Sequence, residues 1–173
     1  MTDVQNTREG FHSDELLWVD KNDSSYIDLA SGSFNRNAFE DLGRRQFAEL
    51  KREGLPLTAI FLDINKFKEV NDEYGHAEGD QRLNTLVRKL LDSIRQQDYI
   101  FRYGGDEFIL FMHNIGKEKV EELIIPKVRN SLRESKLEAG IGIDQAKSDE
   151  NFEDFVNRVD KLMYIDKKGR KND

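Results

Sequence analysis

Three carboxylates sit where two strands are expected to end. Asp63 lies near the end of the apolar run Leu57–Ile64, where a carboxylate is poorly solvated unless something pairs with it. Asp106 and Glu107 follow the Gly104-Gly105 pair, at the tip of a hairpin. If the two strands are neighbours in one sheet, these acids converge on one edge. Such a group suits divalent-metal chemistry at phosphate, because magnesium accepts a few carboxylate oxygens and takes its other ligands from water and substrate phosphates. Two such ions can activate an attacking oxygen, neutralise the transferring phosphate and hold the reactants in line. The paired glycines suit the same chemistry, since they let a phosphate approach the backbone closely. Taken singly, these residues also fit a turn cap at Asp63 and a solvated tip at Asp106-Glu107, and spacing alone leaves both readings open.

The elements that position these acids are legible from periodicity. The spacing Ala38, Phe39, Leu42, Phe47, Leu50 predicts a helix from Asn37, ended by Gly54 and Pro56. Leu57–Ile64, apolar and partly β-branched, reads as a buried strand. A loop with Asn71, Gly75 and Gly79 is expected next, then a long amphipathic helix with Leu83, Leu86, Val87, Leu90, Leu91 and Ile94 on one face. Residues 99–103 and 107–112 flank the Gly-Gly centre, a strong hairpin signal. Residues 117–134 have helical spacing, which Pro126 should kink or split. Residues 137–143 read as a strand, and 152–167 as a closing helix with Phe155, Val156, Val159, Leu162 and Met163 inward. Helices and strands alternate, so one α/β domain is expected, its central sheet covered by helices. Residues 1–25 read as a loosely ordered leader without a heptad pattern. Its apolar quartet, Leu16, Leu17, Trp18 and Val19, is expected to dock on this domain or on a partner.

Bulk composition bounds the function classes. A chain of 173 residues fits one domain, and about 70% of its unfolded surface can be buried at this size. No apolar run approaches the roughly 20 residues of a membrane span, and no signal-peptide pattern is visible. Cysteine is absent, which excludes disulfides and thiolate metal sites and points to a reducing cytoplasm. The net charge of −7 argues against a binder of nucleic acid polymer or anionic membrane. A small polyanion can still bind where a few cations and a metal gather.

The wording of two blocks narrows this further. Arg102-Tyr103-Gly104-Gly105-Asp106-Glu107-Phe108 resembles, letter for letter, the signature hairpin of the GGDEF diguanylate cyclases. Asp63-Ile64-Asn65-Lys66-Phe67-Lys68, followed by Asn71-Asp72, Gly75-His76 and Gly79-Asp80, is similar to the family's second block, at a matching separation. The resemblance runs from about Asp28 to the C-terminus, which makes 26–173 the domain. It implies a mostly antiparallel central sheet flanked by helices, the nucleotidyl cyclase or polymerase palm fold. It implies an enzyme that condenses two GTP into cyclic di-GMP with release of pyrophosphate. It implies two Mg2+ ions per active site, with Mn2+ the alternative, and a homodimer of half-sites that is product-inhibited. A sensor domain or partner protein would drive dimerisation. The rival readings are an idle cyclic di-GMP receptor, a cyclase with a mixed or adenine dinucleotide product, and an interaction module without nucleotide.

The resemblance also implies residue roles. Asp63 and Asp106 would be side-chain metal ligands, with the Ile64 carbonyl beside them. Glu107 would stand near the metals and help deprotonate the attacking 3′-hydroxyl. Asn71 and Asp80 would read guanine, whose ring N–H and exocyclic amine a carboxylate can accept together and adenine does not present. Phe67 and Lys68 would serve the phosphates through backbone and ammonium, beside Gly104 and Gly105. Lys167 would reach the triphosphate. Only Lys168 separates it from Gly169-Arg170, where the family has two residues, so either Arg170 or Lys171 takes the second cationic position. Arg95 and Asp98 fall at the offset of the family's inhibitory product site, where a planar guanidinium suits guanine edges and phosphates. Without the resemblance, that pair reads as a surface ion pair of little worth. Asn65 stands where the family has an acid and is not counted as a ligand, and His76 reads as structural. Ala30 and Ser33 replace two leucines of the entry motif Asp28–Arg36, at packing positions. The segment 131–143 is short for the family, which predicts a trimmed sheet edge well away from the nucleotide.

Overall fold

The computed structural model describes residues 24–169. The leader quartet, Arg170 and Lys171 lie outside the described residues. The sheet has four strands, β1 (Leu57–Ile64), β2 (Tyr99–Arg102), β3 (Glu107–His113) and β4 (Ala139–Gln145), in the order β2-β3-β1-β4. All three pairings are antiparallel, as expected. No helix among the described residues is long and apolar enough to cross a membrane.

Strand alternation divides the core in two. Ile60, Leu62, Ile64, Ile100, Phe108, Leu110, Met112 and Ile141 face one way, toward α4 (His76–Ser93) and α6 (Ile125–Glu134). Leu57, Ala59, Phe61, Tyr99, Phe101, Ile109 and Phe111 face the other, toward α2 (Arg44–Glu53) and α7 (Phe152–Gly169). Asp63 and Glu107 continue this second face at its end, so α7 is the helix that looks onto them. Gly140 and Gly142 bring α7 onto the strand backbone. A Cβ at Gly142 would lie 2.2 Å from the Val159 carbonyl oxygen and 2.4 Å from the Met163 nitrogen.

The predicted first helix forms in three joined pieces. Short α1 (Arg36–Ala38), whose Ala38 N–H is capped by the Asn35 side chain at 3.0 Å, passes through a π turn (Phe39–Gly43) into α2. Gly54 ends α2 in the left-handed region, at φ 67°. Pro126 splits its helix as expected: α5 (Lys117–Lys119) runs through a second π turn (Val120–Ile124), and α6 starts beside the proline, where its missing N–H costs no bond.

Four expectations need correction. The expected loop around Asn71 is helical: α3 (Phe67–Tyr74) and α4 are separated by Gly75 alone, at φ 87°. Phe67 and Val70 supply α3 with an apolar face, which the glycines masked in the sequence. The last strand starts at Ala139 rather than 137, because Lys136 adopts a left-handed turn at φ 55°. The trimmed edge is not remote from the acids. Its first residue, Ala139, pairs with Ile64, and the Glu138 carbonyl accepts the Asn65 N–H at 2.7 Å. Leu162 is half-buried rather than inward.

Two stability tests follow. Gly142→Ala forces a methyl into the α7 backbone and should cost about 2–3 kcal/mol in urea unfolding, whereas Gly105→Ala, with no atom within 4 Å of the new methyl, should stay within about 0.5 kcal/mol. His113 is buried in β3, and burial holds its pKa down to about 4 against the pull of the Asp98 carboxylate. The unfolded chain therefore binds the extra proton, and stability is complete above the ordinary histidine pKa and lost as pH falls toward 4. We expect about 2 kcal/mol to be lost between pH 7 and pH 5, and His113→Leu to flatten that loss.

Candidate active site

The site is built where β1 ends and β3 begins. Their register sets Asp63 directly opposite Glu107. The Ile64 N–H donates to the Asp106 carbonyl at 2.8 Å, which ties the hairpin tip to the end of β1. The Tyr103 N–H donates to the Glu107 carbonyl at 2.8 Å and closes the turn. The Glu107 carboxylate folds over the bare backbone of Gly104, where a Cβ would stand 2.3 Å from its Oε2. Gly105 has open space around it.

The charges explain what this arrangement is fit for. Burial, then the neighbouring Asp63, Asp106 and Asp160, push the Glu107 carboxyl above its ordinary range, and Arg36 pulls back. Asp160, from α7, is pushed up as well, by burial and then by Asp63. A cation resolves this crowding, and one already stands there: the Lys167 Nζ of α7 lies 2.5 Å from Asp63 Oδ1. No group of three or more His, Asp or Glu side chains among the described residues gathers closely enough to cage a metal alone. An ion such as Mg2+ takes only a few protein oxygens and keeps waters and substrate phosphates in its shell. The donor set of Asp63, Asp106, Glu107 and the Ile64 carbonyl fits such an ion.

The second block flanks these acids. Phe67 is buried and its ring belongs to the core, so only its backbone is available to a ligand. Lys68 is exposed on α3, and His76 is exposed at the start of α4. Asn71 Oδ1 is buried without a hydrogen-bond partner. Gly79 makes room for it, since a Cβ there would lie 1.9 Å from that oxygen. Asp80, the next residue, is exposed. Asn65 Oδ1 is a second buried oxygen without a partner, at the residue after Ile64.

Arg95 and Asp98 lie at the far end of β3 and do not form a solvated surface pair. The Asp98 side chain is fully buried and accepts from the Arg95 backbone N–H at 2.9 Å, the Arg95 guanidinium at 3.2 Å, and the His113 N–H at 2.9 Å. The Arg95 guanidinium also donates to the His113 carbonyl at 2.5 Å, while its side chain stays 43% exposed.

One bracing network was not legible in the sequence. Arg102 donates twice to the Gly105 carbonyl, at 3.2 and 2.6 Å, and once to Asp28 Oδ1 at 2.8 Å. Burial pushes the Asp28 carboxyl up, but hydrogen bonds from Arg102 and Ser31 outweigh this and hold it below its ordinary range. Ser33, which replaces a leucine of the entry motif, is buried with its hydroxyl 2.9 Å from that of Ser31. Arg36 covers the Tyr103 ring at 4.5 Å. Asp28 and Arg102 stand 74 residues apart, and only their places inside the two motifs could have paired them.

Comparison with known proteins agrees with this geometry. The family described as "Diguanylate cyclase, GGDEF domain" matches residues 25–173. Diguanylate cyclase DosC of Escherichia coli strain K12 is 31% identical over 156 residues, covering 84% of this chain and 34% of that protein. The solved GGDEF domain of DgcB from Caulobacter crescentus, in complex with c-di-GMP, is 25% identical with a TM-score of 0.77, over 87% of this chain and 91% of that one. Diguanylate cyclase SiaD of Pseudomonas aeruginosa, solved with its activator SiaC, is 26% identical with a TM-score of 0.77, over 84% of this chain and 59% of that one. The chain thus spans about a third of the length of DosC. With paired carboxylates at adjacent strand ends, a glycine hairpin holding them and the family match over nearly all its described residues, the chain belongs to the diguanylate cyclase GGDEF-domain family.

Proposed function

We propose that this domain is a diguanylate cyclase, condensing two GTP into cyclic di-GMP with release of pyrophosphate. The observation that carries the reading is the Asp63–Glu107 pairing beside the Gly104-Gly105 hairpin, with Lys167 as the nearest cation. Asp63, Asp106 and the Ile64 carbonyl would hold two divalent ions, with Glu107 beside them. When bound, these ions would neutralise phosphate charge and sharpen the 3′-hydroxyl as a nucleophile. The raised carboxyl of Glu107 suits it to share the hydroxyl proton. Lys167 would leave Asp63 for the triphosphate, joined by Lys68 and by Arg170 or Lys171. The Phe67 backbone and Gly105 would give the phosphates close approach.

Asn71 and Asp80 would take the guanine edge. The buried, unpartnered Asn71 oxygen supports this, because a base edge supplies the donor it lacks. One protomer presents one such site, so two copies facing each other would complete the reaction. Most of the rate would then come from positioning and charge neutralisation. A sensor domain or a partner protein would supply the drive to dimerise, as SiaD has its activator SiaC. A GTP substrate would suit a location in the cytoplasm. The exposed side of the Arg95 guanidinium, held rigid by buried Asp98, would take the product and inhibit the enzyme.

Incubation of the purified chain with GTP and Mg2+ at several protein concentrations tests the central reading. Cyclic di-GMP should rise more than in proportion to protein, and Asp106→Ala should make none. No product at any concentration would refute the cyclase, and binding of added cyclic di-GMP by that same sample would make it a receptor. Arg95→Ala should relieve inhibition by added product without raising the initial rate. It should also lower stability by about 1–3 kcal/mol in urea unfolding, since it leaves buried Asp98 short of donors.

A further inference from the structure

Met163 is the last apolar residue of α7 that is buried. The next two side chains, Tyr164 and Ile165, are 54% and 65% exposed. Lys167 therefore stands one turn beyond the apolar anchoring of its helix, where helix ends fray. Its stem is long and flexible, so the place of its ammonium depends on what fixes the backbone there.

Asp166 supplies a fixing bond. Its Oδ2 accepts the Ile141 N–H of β4 at 2.9 Å. β4 is an edge strand, and this N–H points away from β1 toward the side with no strand partner. The bond thus attaches α7 to the sheet one residue before Lys167, and it also covers an edge group open to unwanted pairing. The neighbouring residue completes the arrangement. Gly140 pairs with Asp63 in the register, and a Cβ on Gly140 would lie 2.8 Å from the Lys167 Cβ. Lys167 stands on Gly140 and reaches Asp63 from there.

We propose that Asp166 is a positioning residue: its bond to the edge N–H of Ile141 holds the end of α7 so that the Lys167 ammonium is presented to the triphosphate. This rests on the reading of Lys167 as a triphosphate contact. The bond acts through geometry rather than charge. An asparagine at 166, which keeps an acceptor oxygen, preserves the function, and a side chain without an acceptor loses it.

The test is calorimetric binding of a non-hydrolysable GTP analogue with Mg2+ to the full chain and its variants, with urea unfolding run on each. Asp166→Ala should weaken binding about fivefold, the worth of one ordinary hydrogen bond. Asp166→Asn should bind like the wild type. In a Lys167→Met background, Asp166→Ala should have no further effect, because the residue acts through that lysine. Asp166→Leu, closer in size and without an acceptor, should match the alanine variant and serves in its place should the latter unfold. Undiminished binding by Asp166→Ala, or an equal loss with and without Lys167, would overturn the proposal. Failure of the wild-type chain to bind the analogue at all would instead overturn the GTP-site reading on which it rests.

Discussion

Two carboxylates are held face to face at the ends of adjacent antiparallel strands, and the rest of the site is arranged around that repulsion. Asp63 and Glu107 are register partners, so they cannot separate without breaking the central pairing of the sheet. A slip of one residue would turn Asp63 to the opposite face and put apolar neighbours out of the core, so the hydrophobic pattern itself fixes the acids in place. Burial first, and the neighbouring acids after it, raise the carboxyls of Glu107 and Asp160. Their charge is offset by positive charge from α7 and α1. The tension is local, because each strand continues into a fully apolar core within one or two residues.

Each support of this pair comes from a different part of the chain. The hairpin tip is held by Arg102, which links the Gly105 carbonyl to Asp28 in the entry turn. The cation side is held by α7, seated on the bare backbone of Gly140 and Gly142. The opposite end of β3 is closed by Asp98, whose buried carboxylate gathers donors from Arg95 and His113. Both ends of β3 thus meet an acid that needs partners. At one end the protein supplies nearly all of them, whereas at the other the acids face few cations. That asymmetry separates a structural carboxylate from a chemically available one.

Irregular features of the chain are taken up by local hydrogen bonds and by adjustments of the helix backbone. Ser33, in a leucine's place, is buried but shares its hydroxyl with Ser31 and the Phe34 carbonyl. Two π turns fit residues into helices that otherwise continue in regular form. The first places Gly43 against the Phe39 and Phe111 rings, where a Cβ would come within 3.2 and 3.4 Å. On the edge strand β4, the Ile141 N–H is met by the Asp166 side chain.

The sequence by itself determined the order of the sheet-forming runs and of the long helices, the hairpin, and the acids Asp63, Asp106 and Glu107 at the strand ends. Those are carried by local periodicity, by turn chemistry and by two motifs readable along the chain. The helical character of 67–80 escaped it, because Asn71, Gly75 and Gly79 read as turn formers. Only the fold shows that Gly79 is there to admit the Asn71 side chain. Tertiary structure alone decided that β1 lies between β3 and β4, and hence that Asp63 meets Glu107. It alone decided that Asp98 is buried, that Arg102 bridges to Asp28, and that Asp166 and Lys167 meet β4 and β1. These contacts join residues far apart in the chain. Their partners are chosen by packing and register, which no local pattern of residue types encodes.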